Sequence, residues 1–402
     1  MIPRFKPNYD HEEIISIINN KEDAINSFEE KFARLVNNKY AVSFSSGRCG
    51  LYVLLKSLNI NGEVITPGFT CIVVPASIIA SGCKPTFNDI NLNDYNMITD
   101  EISLIFSNKT KAVIPTHMYG YLSDTKKIRE LVGDDVLIIE DAAQAILTKD
   151  VGKFGDAAFY SFNFEKQLFT FGGGMITTNN QEIYEKLIEY KKKFLSENRA
   201  EKNFGKAISL TFTKLIFSNL FADFFIKSWD ANTSRNWKAN KWDFDDINLS
   251  LSDIYLSADL KTNFLKIQAA AGLSQLKKIK NDIKKRYEIA KIYNKKLKDL
   301  EKIILPPLTS NCSYAHYTIR VENRNRFEKF MKNNSIQINK VFEYSLPHVP
   351  YFSRFIDSTD NFKNSFIASK NNVNLPIYPQ LLDSSDKITK IIENIKKYFD
   401  KN

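Results

Sequence analysis

The sequence predicts an α/β protein in which a large, mostly parallel sheet domain precedes a smaller α+β C-terminal domain. Three observations predict it. Short apolar runs alternate with helix-patterned segments at βαβ spacing through about residue 185. Those runs are nearly continuous rather than alternating, as strands covered on both faces require. After residue 264 the pattern becomes one long amphipathic helix, followed by a strand and further helices. The division that follows is 1–260 for the large domain, including an aromatic-rich insert at 186–260, and 261–402 for the linking helix and small domain.

The elements follow in order. Residues 20–35 read as a helix and YAVSFS (40–45) as a strand, after which SSGRCG leads into a helix over YVLLKSLNI. EVITPG ends a strand, FTCIVVPASIIASG is a helix that stops at Gly82, and KPTFNDI returns as a strand. The next cycle is the strand KAVIPTH, the helix LSDTKKIRELVG and the strand DVLIIEDAAQ, with DAAFYSF and GGMITT as two more strands. The stretch GKAISLTFTKLIFSNLFADFFIKSW (205–229) is apolar, but Lys206, Lys214, Asp223 and Lys227 interrupt it short of a membrane span. It is an insert that packs on the body or a partner, or a segment that lies in a membrane surface. From Leu276 an apolar stripe runs through Ile279, Ile283, Tyr287, Ala290, Tyr293 and Leu297 at steps of three and four, which makes a helix with a charged outer face. YAHYTIRV alternates like a strand, and NRFEKFMKNN and SDKITKIIENIKKYF are helices.

Composition narrows the class. Hydrophobic residues make up 43% and charged residues 25%, and 30 phenylalanines and 18 tyrosines exclude a mostly disordered chain. Much of the net charge of +10 sits on the outer face of the long helix, where solvation accounts for it; attraction of a phosphate-bearing metabolite comes next. No helix-turn-helix, zinc-finger or RNP pattern supports nucleic-acid recognition. Cys49, Cys71, Cys83 and Cys312 are scattered with no CxxC pair, and the N-terminus does not resemble a signal peptide. A cytoplasmic protein with free thiols is the economical expectation, and no metal site is expected.

Four places carry possible chemistry. In IIEDAAQA, Glu140, Asp141 and Gln144 follow a buried-looking strand, where ligands of open α/β sheets collect. An acid there can bind metal, sugar hydroxyls or a cationic ring nitrogen, and helix capping explains it equally. SSGRCG puts a glycine between strand and helix, where backbone N–H groups hold phosphate; a plain turn is the alternative. His117 in PTHMYG ends another strand and is as readily a structural residue. Lys166 lies in SFNFEKQLFTFGGG among Phe162, Phe164, Phe169 and Phe171, with Gly172–Gly174 behind it. A desolvated lysine loses proton affinity and can form a Schiff base with a carbonyl.

Taken in order, SSGRCGLYVLLKSL, EDAAQA, SFNFEKQLFTFGGGMITT and IQAAAGLSQL resemble the DegT/DnrJ/EryC1/StrS family of pyridoxal-phosphate-dependent sugar aminotransferases. PTHMYG and NLPIYPQL fit the same order, and the resemblance covers most of the chain apart from about 186–260. It implies a fold type I, aspartate-aminotransferase-like enzyme that works as a homodimer with shared active sites. It implies pyridoxal 5'-phosphate as cofactor, pyridoxamine phosphate as its aminated form, an amino-acid donor (usually glutamate) and a keto-sugar nucleotide as acceptor. By the same resemblance Lys166 is the Schiff-base lysine, Asp141 pairs with the pyridine nitrogen and Gln144 lies near the phenolic oxygen. Ser161, Gly47 and Arg48 bind phosphate, and His117 orients or contacts substrate. Relatives with histidine in place of this lysine remove a hydroxyl instead, so Lys166 favours amino transfer.

The departures are specific. The usual SGT turn is Ser46-Gly47-Arg48, an aromatic position that stacks on the cofactor is Cys71, and the acid of an EGG triplet is Gly172. The segment that reaches the partner subunit's phosphate is Lys261-Thr262-Asn263, with Lys261 or Asn263 as the candidate ligand. These changes and the aromatic insert suggest an unusual acceptor. The other readings are dehydration, a lipid-linked or non-nucleotide keto sugar, and a catalytically silent regulator on the same fold.

Overall fold

The computed structural model describes residues 1–19, 21–195 and 261–400. The apolar stretch 205–229 lies outside the described residues, as do Trp237 and Trp242. Seven strands form the main sheet: β1 (Tyr40–Phe44), β2 (Glu63–Pro67), β3 (Lys84–Asn88), β4 (Thr110–Val113), β5 (Leu137–Asp141), β6 (Ala157–Ser161) and β7 (Gly174–Thr178). Their order is β1-β7-β6-β5-β4-β2-β3. β7 is antiparallel to both its neighbours, and every other pairing is parallel. The other six strands therefore end at one edge of the sheet, and β7 begins there. The turns after β1, β2, β4, β5 and β6 open side by side along that edge, where open α/β sheets bind ligands.

Helices cover both faces. They are α1 (His11–Ile18), α2 (Ala24–Leu35), α3 (Gly47–Ser57), α4 (Val73–Ala80), α5 (Ile102–Ile105), α6 (Thr125–Val132), α7 (Gln181–Phe194) and the long α8 (Lys266–Leu297). Strand alternation sorts the core. Ala157 and Phe159 of β6 pack with leucines of α3 and with Ile183 and Leu187 of α7, whereas Ala158 and Tyr160 pack with Phe28 and Phe32 of α2. Phe28 and Phe32 are fully buried, and a ring so placed contributes about 2 kcal/mol of burial free energy.

The C-terminal part carries a two-stranded antiparallel sheet, β8 (Tyr317–Arg320) with β9 (Asn372–Leu375), and α9 (Arg324–Asn333), and it closes with the helix Ser385–Asp400. One core joins it to the sheet edge: Phe69, Met118 and Tyr119 pack with Tyr293 and Leu297 of α8 and with Tyr317, Phe327 and Ile395.

The structure departs from the sequence expectations at several points. The helix expected over 20–35 begins at Ala24. α1 forms on a capping box in which Asp10 caps the backbone and Glu13 reaches back to the Asp10 N–H. In α8, Ile279, Ala290, Tyr293 and Leu297 of the predicted stripe are buried, but so are Asp282 and Arg286, which periodicity assigns to the charged face. Arg286 donates to the carbonyls of Tyr314 (3.2 Å), Ala315 (3.3 Å) and Ile377 (2.7 Å), so it pins the loops before β8 and after β9 to the helix. Its burial is supported by hydrogen bonds to distant backbone that no local pattern reveals.

Candidate active site

The first piece of the site is the turn from β1 into α3. Ser46 is the N-cap, and its Oγ accepts from the Cys49 N–H at 3.2 Å. The next residues press against the ends of β6 and β7. A Cβ on Gly47 would lie 3.0 Å from the Tyr160 carbonyl oxygen, and a Cβ on Gly174 only 2.3 Å from the Gly47 nitrogen. The Gly174 approach requires glycine and the Gly47 one is tight, and together they set the open first turn of α3 beside Ser161. First-turn N–H groups have no intrahelical partner and suit an anion. Arg48, half-buried in the same turn, is close enough to favour the ionised Cys71 thiol.

The second piece is the end of β5. Asp141 is 4% exposed. Its Oδ1 accepts from the Ala143 N–H at 3.0 Å, and Oδ2 accepts from Thr116 at 3.4 Å, with Thr70 hydrogen-bonded to Thr116 at 2.9 Å. Burial raises the carboxyl's proton affinity, while the Ala143 N–H, Lys166, His117 and Thr116 oppose that rise. Gln144 Oε1 accepts from the Tyr119 N–H at 3.1 Å. Because that N–H can only donate, the amide oxygen faces Tyr119 and its NH₂ faces the other way.

Lys166 forms the third piece. Its backbone N–H closes a turn on the Asn163 carbonyl at 3.2 Å, and Phe162 and Phe169, which flank this turn in the chain, are buried. Burial lowers the amine's proton affinity, opposed by Cys71, Asp141 and Glu165. The Cys71 thiol is pushed up by burial and is sensitive to Lys166, Asp141 and Arg48. Lysine, thiol and carboxylate thus share one electrostatic setting, built by the turns after β6, β2 and β5.

His117 sits elsewhere in function. It is fully buried, its Nδ1 accepts from the Ser123 N–H at 3.0 Å, and its Nε2 therefore carries the proton donated to Glu140 Oε2 at 2.8 Å. With both ring nitrogens engaged, the ring has no nitrogen left for substrate; its own backbone N–H donates to the Asp141 carbonyl at 3.0 Å. This geometry orients the β4 and β5 turns. Asn263 precedes Phe264, whose ring stacks on Phe28 at 5.8 Å and rests against Gly173. The Lys261 ammonium lies 6.0 Å from the Phe194 ring.

Pattern reading passes over His316. It lies just before β8, 8% exposed, with its ring edge-on to Tyr119 at 5.7 Å. Burial, Lys166, Arg286 and Arg4 hold its proton affinity well below the usual histidine value, so the ring is neutral. The only sequence signal is its scarcity, one of four histidines.

A model of the DegT/DnrJ/EryC1/StrS aminotransferase family matches residues 15–222 and 234–396. The chain belongs to this family. It is a pyridoxal-phosphate-dependent sugar aminotransferase by class. The chain is similar to the GDP-perosamine synthase of Vibrio cholerae, at 26% identity over 99% of each chain. The fold matches that of Helicobacter pylori PseC, described as an aminotransferase involved in the biosynthesis of pseudoaminic acid, with a TM-score of 0.78 at 19% identity over 100% of both chains. It also matches a GDP-4-keto-6-deoxymannose-3-dehydratase with a trapped PLP-glutamate geminal diamine, with a TM-score of 0.74 at 18% identity over 98% of this chain and 100% of that one. These folds are the type I architecture expected from the sequence. An amine, a buried carboxylate, an oriented amide and an anion-ready turn at one sheet edge suit the cofactor's carbonyl, pyridine nitrogen, phenolic oxygen and phosphate respectively.

Proposed function

We propose that this DegT/DnrJ/EryC1/StrS enzyme moves an amino group from an amino acid, L-glutamate in our reading, to a keto sugar carried on a nucleotide. The product serves as a building block for surface polysaccharide or related glycans. The observation that carries the proposal is the shared setting of Lys166 and Asp141 at the strand ends. When bound, pyridoxal phosphate supplies an electrophilic carbonyl and an electron-accepting ring. The chain's own residues do the rest. Ser161, Gly47 and Arg48 would hold the phosphate, the Gln144 NH₂ would be available to the phenolic oxygen, and Asp141 would keep a proton on the ring nitrogen. Lys166 anchors the cofactor and, with its lowered proton affinity, takes and returns a proton at its Nζ. By the family resemblance Cys71 takes the position of an aromatic residue that would stack on the ring, and Asn263 would reach a second copy's phosphate across a homodimer. A nucleotide-linked acceptor is supported by the Vibrio cholerae relative, which is named for a GDP-linked product, and such an acceptor fits our reading of a cytoplasmic reaction.

The dehydratase neighbour shows that this fold alone does not separate amino transfer from dehydration. Lysine at position 166 supports transfer. The test is optical and chemical. Protein loaded with pyridoxal phosphate should absorb in the visible or near ultraviolet and bleach when glutamate is added. A chain that stays colourless with added cofactor would sink the proposal. Lys166→Ala should abolish both the absorbance and the transfer. A screen of keto-sugar nucleotides with glutamate, read by mass spectrometry, then identifies the acceptor. Failure with every nucleotide sugar, together with co-sedimentation with membranes, would point to a lipid-linked keto sugar instead. Among the described residues, no helix is long and apolar enough to cross a membrane.

A further inference from the structure

The residue before Lys166 is held in an unusual way. Glu165 has φ of 65°, the left-handed region that L-residues other than asparagine and aspartate seldom occupy. Such a conformation persists where the surroundings over-determine it. Here both carboxylate oxygens are taken. Arg4 Nε donates to Oε1 at 2.5 Å and Asn339 Nδ2 donates to Oε2 at 2.5 Å. The Arg4 and Glu165 side chains are only 17% and 16% exposed. The Asn339 amide cannot be reversed, because its Oδ1 accepts from the Lys340 N–H at 2.8 Å.

The two donors come from far along the chain, and one piece of backbone holds both. Ile2 pairs with Ile336: its N–H donates to Ser335 at 2.8 Å, and its carbonyl accepts from Gln337 at 2.9 Å. The Arg4 N–H donates to the Gln337 side chain at 3.4 Å. Asn339 exchanges backbone hydrogen bonds of 3.0 and 2.8 Å with Asn374 of β9. The N-terminal arm, the 335–340 segment and the small sheet therefore converge on a single carboxylate, one residue from the lysine.

We propose that Glu165 is a positioning residue: the Arg4–Glu165–Asn339 clamp fixes the peptide that carries Lys166 and ties it to the N-terminal arm and the small C-terminal sheet. This rests on the reading of Lys166 as the cofactor-bearing residue. The groups that face the lysine are Asp141, Cys71 and Glu165, and its charge also reaches His316. Any shift in the lysine's titration has to be read against all four.

The test uses the full chain and hydrogen exchange of residues 161–172, with and without pyridoxal phosphate. Arg4→Met, Asn339→Ala and Glu165→Ala should each speed exchange in that segment, by roughly tenfold or more for Glu165→Ala. The Arg4→Met/Asn339→Ala double variant should exchange at least as fast as either single variant, because it leaves the Glu165 carboxylate without both donors. Glu165→Gly separates strain from contact: glycine relieves the left-handed backbone yet should exchange as fast as alanine or faster. In the loaded enzyme, Glu165→Gln should lower the pH midpoint of the lysine-linked absorbance, and Arg4→Met should raise it. Unchanged exchange at 161–172 in all variants would overturn the clamp. So would exchange accelerated throughout the chain, which would mark a general folding role. If the wild type takes up no cofactor, the functional proposal fails, while exchange in the cofactor-free chain still decides the clamp.

Discussion

Glu140 and Asp141 are neighbours at the end of one strand, carry the same charge and are both buried, yet the structure uses them in opposite ways. Glu140 points into a sealed network. Its oxygens accept from the N–H groups of Gly152 and Gly155, each at 2.7 Å, and from His117 at 2.8 Å. The fit is close enough that a Cβ on Gly155 would stand 2.8 Å from Glu140 Oε1. Asp141 has a backbone N–H and a threonine hydroxyl for partners, and a lysine amine to answer its charge. Successive side chains of a strand point to opposite sides. One carboxylate therefore holds the turns together, and its neighbour faces the side that carries Lys166. A buried acid that is fully hydrogen-bonded is structural, and one whose balance depends on a cation in a cleft is a candidate for chemistry.

Mutation of each acid can break that contrast. Asp141→Ala should cost roughly a thousandfold in transfer rate, the scale of removing a preorganised charge partner, while the folded protein still accumulates. Single-turnover kinetics with the donor checks this. Glu140→Ala should do the reverse. It strands three buried donors and should lower unfolding free energy by about 3 kcal/mol or more, as measured by denaturant titration. Protein that remains folded should keep its cofactor absorbance. Equal effects of the two mutations on rate and on stability would show the contrast to be false.

His316 sharpens the comparison through pH. Its folded proton affinity lies below the ordinary value of 6.5. Above pH 6.5 the ring is neutral in both states and contributes no pH dependence. As pH falls through 6.5, the unfolded chain binds a proton that the folded one refuses, so stability drops by up to about 1.4 kcal/mol per pH unit. His316→Asn should remove that loss, and its stability profile should separate from the wild type below pH 6.5 while running parallel above it. The smallest expected effect is at Cys71. Cys71→Tyr should tighten cofactor retention by up to about tenfold, the worth of one aromatic stacking contact. Dialysis followed by absorbance measures it, and weaker retention would show that the thiol, rather than the missing ring, is what the site uses.

Much of this molecule is readable from local pattern. Continuous apolar strands, the glycine that stops α4 and the three-and-four spacing in α8 are short-range signals, and the main sheet and its helices follow them. The motifs SSGRCG, EDAAQA and SFNFEKQL mark strand ends, and parallel strands must end together, so the sequence by itself determined that these segments share one edge. Within the Glu140–Asp141 pair the family resemblance singled out Asp141, but local pattern alone did not, because strand phase relative to the core is set by packing. Local pattern gave no sign that Arg286 belongs inside, that His316 stands near Lys166, or that Arg4 and Asn339 meet at Glu165. Those contacts join residues far apart in the chain. The tertiary structure decided them, because a buried polar group is tolerated only where distant backbone and side chains supply its hydrogen bonds, and such partners exist only once the fold has formed.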